Sequence, residues 1–178
     1  MCSTCLPACL PPERARTITA GQALLRRLRA LPQSPETFGI AHSDLHQFNF
    51  FRSPDGRLLP FDFDDCEYSP FIREVSIPLY YALGGIPDRP GAPSREAFGE
   101  HFLVCFLRGF QREVPLSRPQ LTQLPAFLQL RSLILMSVLC TSVPGSSLRG
   151  EDHACSLGSP CDTGVRVHWR HRCTGSWV

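Results

Sequence analysis

The chain has 178 residues and a formal net charge of +2, and all 18 of its basic residues are arginine. This length is enough for one ordinary domain with a hydrophobic core. The small net charge gives no reason to expect a nucleic-acid or anionic-membrane partner, and we predict neither.

Membrane insertion and secretion are not predicted either. The longest apolar run, residues 133–140, is much shorter than the roughly 18 residues that a membrane-spanning helix needs. The first residues lack the basic segment and the sustained apolar run of a secretory signal. Three of the nine cysteines, Cys66, Cys105 and Cys140, are expected to be reduced and packed. We therefore expect a cytoplasmic protein.

Composition divides the chain into three zones. Residues 1–16 form an irregular lead that is rich in cysteine and proline. Residues 17–143 alternate helical and strand patterns with turn signals and are predicted to form the folded lobe. Residues 144–178 contain few large aliphatic side chains, so we expect this tail to be disordered or non-native sequence.

Three helices are predicted in the middle zone. Leucines recur at helical spacing from Leu24 to Leu31 and indicate the first helix. Ser94 can cap a second helix, in which three phenylalanines and Cys105 fall on one face. Residues 121–140 are apolar most of the way round, as in a buried helix, with an interruption at Pro125.

The residues that can carry chemistry flank a predicted β-hairpin. Residues 48–52 and 57–63 are two short apolar runs around a Ser-Pro-Asp-Gly turn. Asp44 and Asn49 lie five residues apart before the hairpin, and Asp62 lies at its far end. Phosphoryl transfer needs a carboxylate that orients the attacking group and oxygen ligands that hold metal ions against the triphosphate. The order and spacing match the catalytic signature of protein kinases.

These motifs closely resemble those of the aminoglycoside phosphotransferase and choline kinase-like family. His42, Asp44 and Asn49 match the family's catalytic loop, and residues 61–65, Phe-Asp-Phe-Asp-Asp, match its metal motif. The resemblance covers about residues 10–143, the family's C-terminal lobe. It implies an α+β, protein-kinase-like fold with a mainly helical lobe and a catalytic hairpin. It also implies transfer of a phosphoryl group from ATP to a hydroxyl of a small molecule, with Mg²⁺.

By this resemblance, Asp44 is the catalytic base or acceptor-orienting carboxylate, and Asn49 and Asp62 are the Mg²⁺ ligands. His42 belongs to the catalytic loop, with bracing the loop as its expected role, and His46 either packs the loop or touches substrate. An acidic cluster could attract a cationic acceptor, with a solvated turn as the equal alternative; it consists of Asp64, Asp65 and Glu67.

Two positions depart from the family pattern. Ser43 replaces the usual glycine, which is a mild change where the backbone φ angle is negative. Glu74 stands where the family usually has aspartate, which alters the side chain that ties the following helix to the loop.

The sequence offers no residues for gripping the nucleotide. There is no Gly-x-Gly-x-x-Gly loop and no lysine, whereas kinases use both to hold the phosphates of ATP. The nucleotide-binding residues therefore stay unknown. We expect a truncated or degraded family member in which the N-terminal ATP-grasping lobe is missing.

Three alternatives stay open. The first is a catalytically inactive remnant of such a kinase. The second is a metallophosphoesterase built on Asp44, His46 and Asp62, which would need further ligands downstream. The third is a zinc-binding module, whose ligands would come from Cys2, Cys5, Cys9, His153, Cys155, Cys161, His168, His171 and Cys173.

Overall fold

A computed structural model describes residues 9–86 and 89–142. The predicted tail and the first half of the predicted lead lie outside the described residues, as do most of the cysteines and histidines of the alternative zinc module. The elements in chain order are a 3₁₀ turn Pro12–Arg14, α1 Ala15–Arg29, β1 Phe38–Ala41, β2 Phe50–Arg52, β3 Leu58–Pro60, β4 Glu67–Pro70, α2 Ile72–Gly84, α3 Arg95–Phe110, α4 Arg118–Leu121 and α5 Leu124–Ser142.

The four strands form two small antiparallel sheets. The inner pair, β2 and β3, is the predicted hairpin, with Phe51 opposite Leu59. The outer pair joins β1 to β4, with Ile40 opposite Tyr68. Because β1 precedes the hairpin and β4 follows it, the segments before and after the hairpin are brought side by side. This arrangement confirms the predicted α+β class.

The hairpin turn is built as the sequence indicates. The amide of Ser53 donates to the carbonyl of Arg57 at 2.9 Å, and Gly56 has a φ angle of +86°. Glycine adopts this left-handed conformation without the steric cost that a side chain brings. Each strand is three residues long, shorter than the two predicted apolar runs.

The hydrophobic core lies between the helices. Helix α5 packs against α2 and α1, and its buried members include Leu124, Phe127 and Leu128. The predicted interruption at Pro125 falls one residue inside the start of α5, where proline is tolerated because the first amides of a helix have no intrahelical acceptor.

The segment Arg118–Thr141 is long and apolar enough to cross a membrane by length and composition, although no unbroken apolar run in it reaches that length. The core helix of a soluble protein passes the same test. Leu130 and Leu133 of α5 are buried, and α5 supplies much of the packing between the helices. Contacts within the lobe therefore account for part of its apolar character, while Val138 and Leu139 near its end are about half exposed.

Helix α3 begins as predicted, because the Ser94 hydroxyl accepts a hydrogen bond from the amide of Ala97 at 3.2 Å. Four phenylalanines stack along it at i, i+4 spacing, with centroids 5.7–6.3 Å apart: Phe98, Phe102, Phe106 and Phe110. The prediction that Cys105 packs with them is wrong, because Cys105 is exposed on the adjoining face. Cys66 is exposed as well, so Cys140 is the one partly covered residue among the three cysteines that were expected to be packed.

One region leaves large apolar side chains in solvent. Among the described residues, most of the large apolar side chains that are at least about half exposed belong to residues 40–68. We call this region the apolar face; it consists of Ile40, Phe48, Phe51, Leu58, Leu59, Phe63 and Tyr68.

Candidate active site

The loop between β1 and β2 is closed by Asn49. Its side-chain amide donates to the backbone carbonyl of Asp44 at 3.0 Å and to Asp44 Oδ2 at 3.1 Å. Its backbone amide also donates to the carbonyl of His46 at 2.9 Å. Asn49 is only 6% exposed, and its side-chain oxygen makes no hydrogen bond to another described residue. The five-residue spacing therefore places the amide nitrogen on the aspartate and leaves the amide oxygen for a ligand.

Both oxygens of the Asp44 carboxylate are held. Oδ1 accepts a hydrogen bond from Arg131 Nη2, and Oδ2 faces Asn49 and His46 Nε2, the latter at 3.4 Å. The side chain is still 20% exposed. The carboxylate is thus fixed in direction while it remains accessible from solvent.

The contacts of His46 define which ring nitrogen carries the proton. Its Nδ1 accepts from the amide of Phe48 at 3.2 Å, so in the neutral ring the proton lies on Nε2, the atom that faces Asp44. The ring also packs against Tyr81, with centroids 4.4 Å apart. Of the two predicted roles of His46, loop packing is the one these contacts describe.

His42 connects the loop to the strand that precedes Asp62. Its Nε2 lies 3.0 Å from the carbonyl oxygen of Phe61, and a carbonyl can only accept, so Nε2 is the donor. Its ring packs against Phe63 at 4.7 Å between centroids. His42 is 8% exposed and makes no contact with Asp44. The contacts are those of a bracing residue.

Asp62 is held beside the loop through its neighbour in the chain. The amide of Phe61 donates to the carbonyl of Asn49 at 3.0 Å, and the Phe61 carbonyl is the partner of His42. Asp62 itself is exposed, has a φ angle of +63°, and makes no hydrogen bond or ion pair with another described residue. Non-glycine residues in this conformation cluster at functional sites. Loop and metal motif are therefore adjacent, as the sequence predicts.

Glu74 ties helix α2 to the start of the loop. Its two carboxylate oxygens accept from the backbone amides of His42 at 3.0 Å and Ser43 at 2.9 Å. Ser43 has a φ angle of +64°. Serine in place of glycine is a mild change only where φ is negative, so here the change is not mild. The side chain here costs about 1–2 kcal/mol relative to an unstrained residue. Glutamate in place of aspartate still makes both hydrogen bonds.

The acidic cluster is not one uniform group. Glu67 forms an ion pair with Arg73 and lies in β4, whereas Asp64 and Asp65 are exposed and have no partner among the described residues. Across residues 9–86 and 89–142, no group of three or more His, Cys, Asp or Glu side chains is placed to hold a metal ion. The metallophosphoesterase alternative needs such a group.

Two site residues escaped the sequence-based prediction. Arg131 is 8% exposed and comes from α5, 87 positions after Asp44. The hydroxyl of Tyr81 in α2 accepts from Arg131 Nη2 at 2.6 Å. One signal was available: Arg131 is the single charged residue in the apolar stretch from 119 to 142, and a buried charge requires a partner.

Comparisons with known proteins agree with this geometry. No protein-family model matches the chain. Amicoumacin kinase of Bacillus subtilis (strain 168) is 33% identical over 132 residues, which are 73% of this chain and 38% of that protein. A solved structure of amicoumacin kinase hAmiN in complex with AMP-PNP, Ca²⁺ and Ami superposes with a TM-score of 0.76 and 28% identity. The chain is therefore similar to kinase-like phosphotransferases in both sequence and fold.

A second solved structure shows the same fold. The microcompartment-associated aminopropanol kinase superposes with a TM-score of 0.57 at 18% identity over 85% of this chain. The chain spans less than half the length of these kinases, namely 47% of hAmiN and 43% of the aminopropanol kinase. The predicted family resemblance and the predicted kinase-like fold are confirmed, and the partial coverage fits a C-terminal lobe.

Proposed function

We propose that this chain carries the catalytic half of an ATP-dependent phosphotransferase, which transfers the γ-phosphoryl group to a hydroxyl of a small molecule. The observation that carries the proposal is the closed loop of Asp44 and Asn49, with Asp62 held next to it through Phe61. Phosphoryl transfer needs a carboxylate that orients the acceptor beside oxygen ligands for a metal. The 33% identity to amicoumacin kinase supports the same reaction class.

In this proposal Asp44 orients the acceptor hydroxyl and takes its proton, while the new oxygen–phosphorus bond forms and the bond from the γ-phosphorus to the departing ADP breaks. The Asn49 amide oxygen and the Asp62 carboxylate would hold Mg²⁺, because both are hard oxygen ligands and neither makes a hydrogen bond to another described residue. When bound, the metal neutralises charge on the phosphates. His42 holds the catalytic loop beside the segment that carries Asp62, through its hydrogen bond to the carbonyl of Phe61.

The acceptor is a small molecule, and amicoumacin is the probe that the relatives suggest. Asp64 and Asp65 would favour a cationic group on it, because no described residue neutralises them. The cytoplasmic location stays a prediction.

The experiment measures transfer and nucleotide binding separately. The purified chain is incubated with Mg-ATP and amicoumacin, and the phosphorylated product is followed by mass spectrometry. Asp44→Asn and Asp62→Ala should each lower the rate about 10²–10³-fold or more. Asp55→Asn, an exposed turn position outside the site, is the matched control and should keep the wild-type rate.

Calorimetric titration with Mg-AMP-PNP distinguishes the two residues. Asp62→Ala should lose nucleotide affinity, whereas Asp44→Asn should retain it. Transfer that is independent of Asp44 would refute the proposal. A chain that binds no Mg-nucleotide, with or without Asp62, would be the inactive remnant.

A further inference from the structure

Arg131 is a charged residue in a position where charge is costly. It is the single charged residue in an otherwise apolar stretch of the main core helix, and its side chain is 9% exposed. Removing a guanidinium from water costs several kcal/mol unless its partners compensate. Hydrophobic residues of similar size at such positions are often neutral or stabilising. A purely structural role therefore does not explain an arginine here.

The hydrogen bonding of Arg131 leads to the same conclusion. Nη2 alone makes both contacts, to the carboxylate of Asp44 and the hydroxyl of Tyr81, while Nε is buried without a partner among the described residues. An unsatisfied buried donor costs about 1–3 kcal/mol. The Arg131 side chain thus keeps its hydrogen bond to Asp44 although its own Nε donor has no hydrogen-bond partner among the described residues.

That contact decides how the carboxylate can turn. Asn49 and His46 both approach Oδ2, whereas the side-chain partner of Oδ1 is Arg131. Rotation about the last bond of an aspartate side chain is soft, because it joins a tetrahedral carbon to a planar group. Arg131 on Oδ1 therefore adds a second point of restraint to the one that the loop supplies at Oδ2.

Tyr81 links the two sides of the carboxylate. Its hydroxyl holds Arg131 Nη2 at 2.6 Å, and its ring packs against the imidazole of His46 at 4.4 Å. The guanidinium carbon also lies 5.1 Å from the centre of the Tyr81 ring. Tyr81 of α2 thus contacts both Arg131 of α5 and His46, the two residues that lie on either oxygen of the Asp44 carboxylate.

We propose that Arg131 is a positioning residue that holds the Asp44 carboxylate in the orientation that receives the acceptor hydroxyl. This inference rests on the proposed function. Phosphoryl transfer depends on alignment of the reacting atoms, and a displacement of about 1 Å can cost about 10²-fold in rate. Arg131 acts through Asp44 and not on the nucleotide.

The contact is tested first by stability, which requires no activity. Urea unfolding is measured for Arg131→Met, Asp44→Asn and the double variant. Removal of either partner leaves the other without its ion pair, so the two effects should not add. Adding the free-energy effects of the two single variants gives an expected unfolding equilibrium constant for the double variant. We expect the measured constant to be at least about tenfold smaller than that value. Additive effects would overturn the proposal.

Kinetics then separates positioning from simple stability. With Mg-ATP and amicoumacin, Arg131→Met should lower kcat about 10²-fold and leave the KM for ATP within about threefold. Arg131→Lys keeps a cation and should recover part of kcat, and Tyr81→Phe should have a smaller effect than Arg131→Met. Arg112→Met, at an exposed turn position outside the site, is the control and should match the wild type.

The outcomes separate the two proposals. If the wild type transfers phosphate and Arg131→Met keeps its kcat, the positioning role is wrong and the proposed function stands. If the wild type transfers nothing while the stability effects are non-additive, the proposed function is wrong and Arg131 is only a structural partner of Asp44.

Discussion

Replacement of Glu74 by alanine should destabilise the protein strongly, although the residue is neither buried in the core nor part of the reacting site. Its carboxylate accepts from the amides of His42 and Ser43, two residues that are 8% and 1% exposed. Each hydrogen bond to a charged group contributes about 1.5–3 kcal/mol net. Ser43 also has a left-handed backbone, and its amide is one of the two donors to Glu74. We therefore expect a loss of about 3–5 kcal/mol.

Glu96 provides a matched control. Both glutamates lie in the first turn of a helix, where a negative charge contributes about 0.3–1 kcal/mol through the helix dipole. Glu96 is exposed and makes no hydrogen bond with another described residue. The difference between Glu74→Ala and Glu96→Ala therefore isolates the bonds to the loop. Glu74→Gln keeps one acceptor and should fall between the two.

The assay is urea unfolding followed by far-ultraviolet circular dichroism. With a urea dependence of about 2 kcal/mol per molar, Glu74→Ala should lower the midpoint by about 2 M. A midpoint within about 0.5 M of Glu96→Ala would refute the assigned role of Glu74.

Three further predictions concern single positions and are checked by urea unfolding. Gly39→Ala should lower the free energy of unfolding by about 1–3 kcal/mol, because its new Cβ would lie 2.6 Å from the ring of Phe71. Shortening Phe71 to leucine in the same chain should restore part of that stability, and no restoration would contradict the steric cause. Gly56→Ala should cost about 1 kcal/mol through its φ angle of +86° alone, and an equal cost for Gly56→Asn, which tolerates this conformation, would count against that cause. Burial raises the pKa of Tyr80 above its ordinary value of 10.0, so its contribution to stability is complete below pH 10.0 and is lost as the pH rises through the folded-state pKa. Tyr80→Phe should remove that part of the alkaline loss, and an unchanged pH dependence would exclude Tyr80 as its source.

The parts of the site that the sequence predicts are those set by local spacing. Asp44 and Asn49 meet because five residues of loop bring an amide back onto a carboxylate, and the hairpin returns Asp62 because its turn residues fix the strand pairing. These relations involve neighbours in the chain. The same holds for the start of α3, where Ser94 caps the helix.

The parts that could not be predicted depend on tertiary packing. Arg131 reaches Asp44 only because α5 packs beside the loop, and no local pattern gives that alignment. The left-handed backbone of Ser43 depends on Glu74, 31 positions later. The sequence predicts Cys105 on the packed face of α3, but Cys105 is exposed. Helical spacing alone gives a broad apolar stripe, and the neighbouring helices decide where the buried part of that stripe ends.

The apolar face has a consequence for handling the chain in solution. Phe48 is 72% exposed and Phe51 is 66% exposed, so two molecules that meet through their hairpins would shield aromatic rings from water. Such pairing is favoured by ions that strengthen apolar burial, sulfate and phosphate above all. Raising the concentration of a neutral electrolyte would matter less, because few charges take part. We therefore expect the choice of anion, more than ionic strength, to decide when this protein leaves solution.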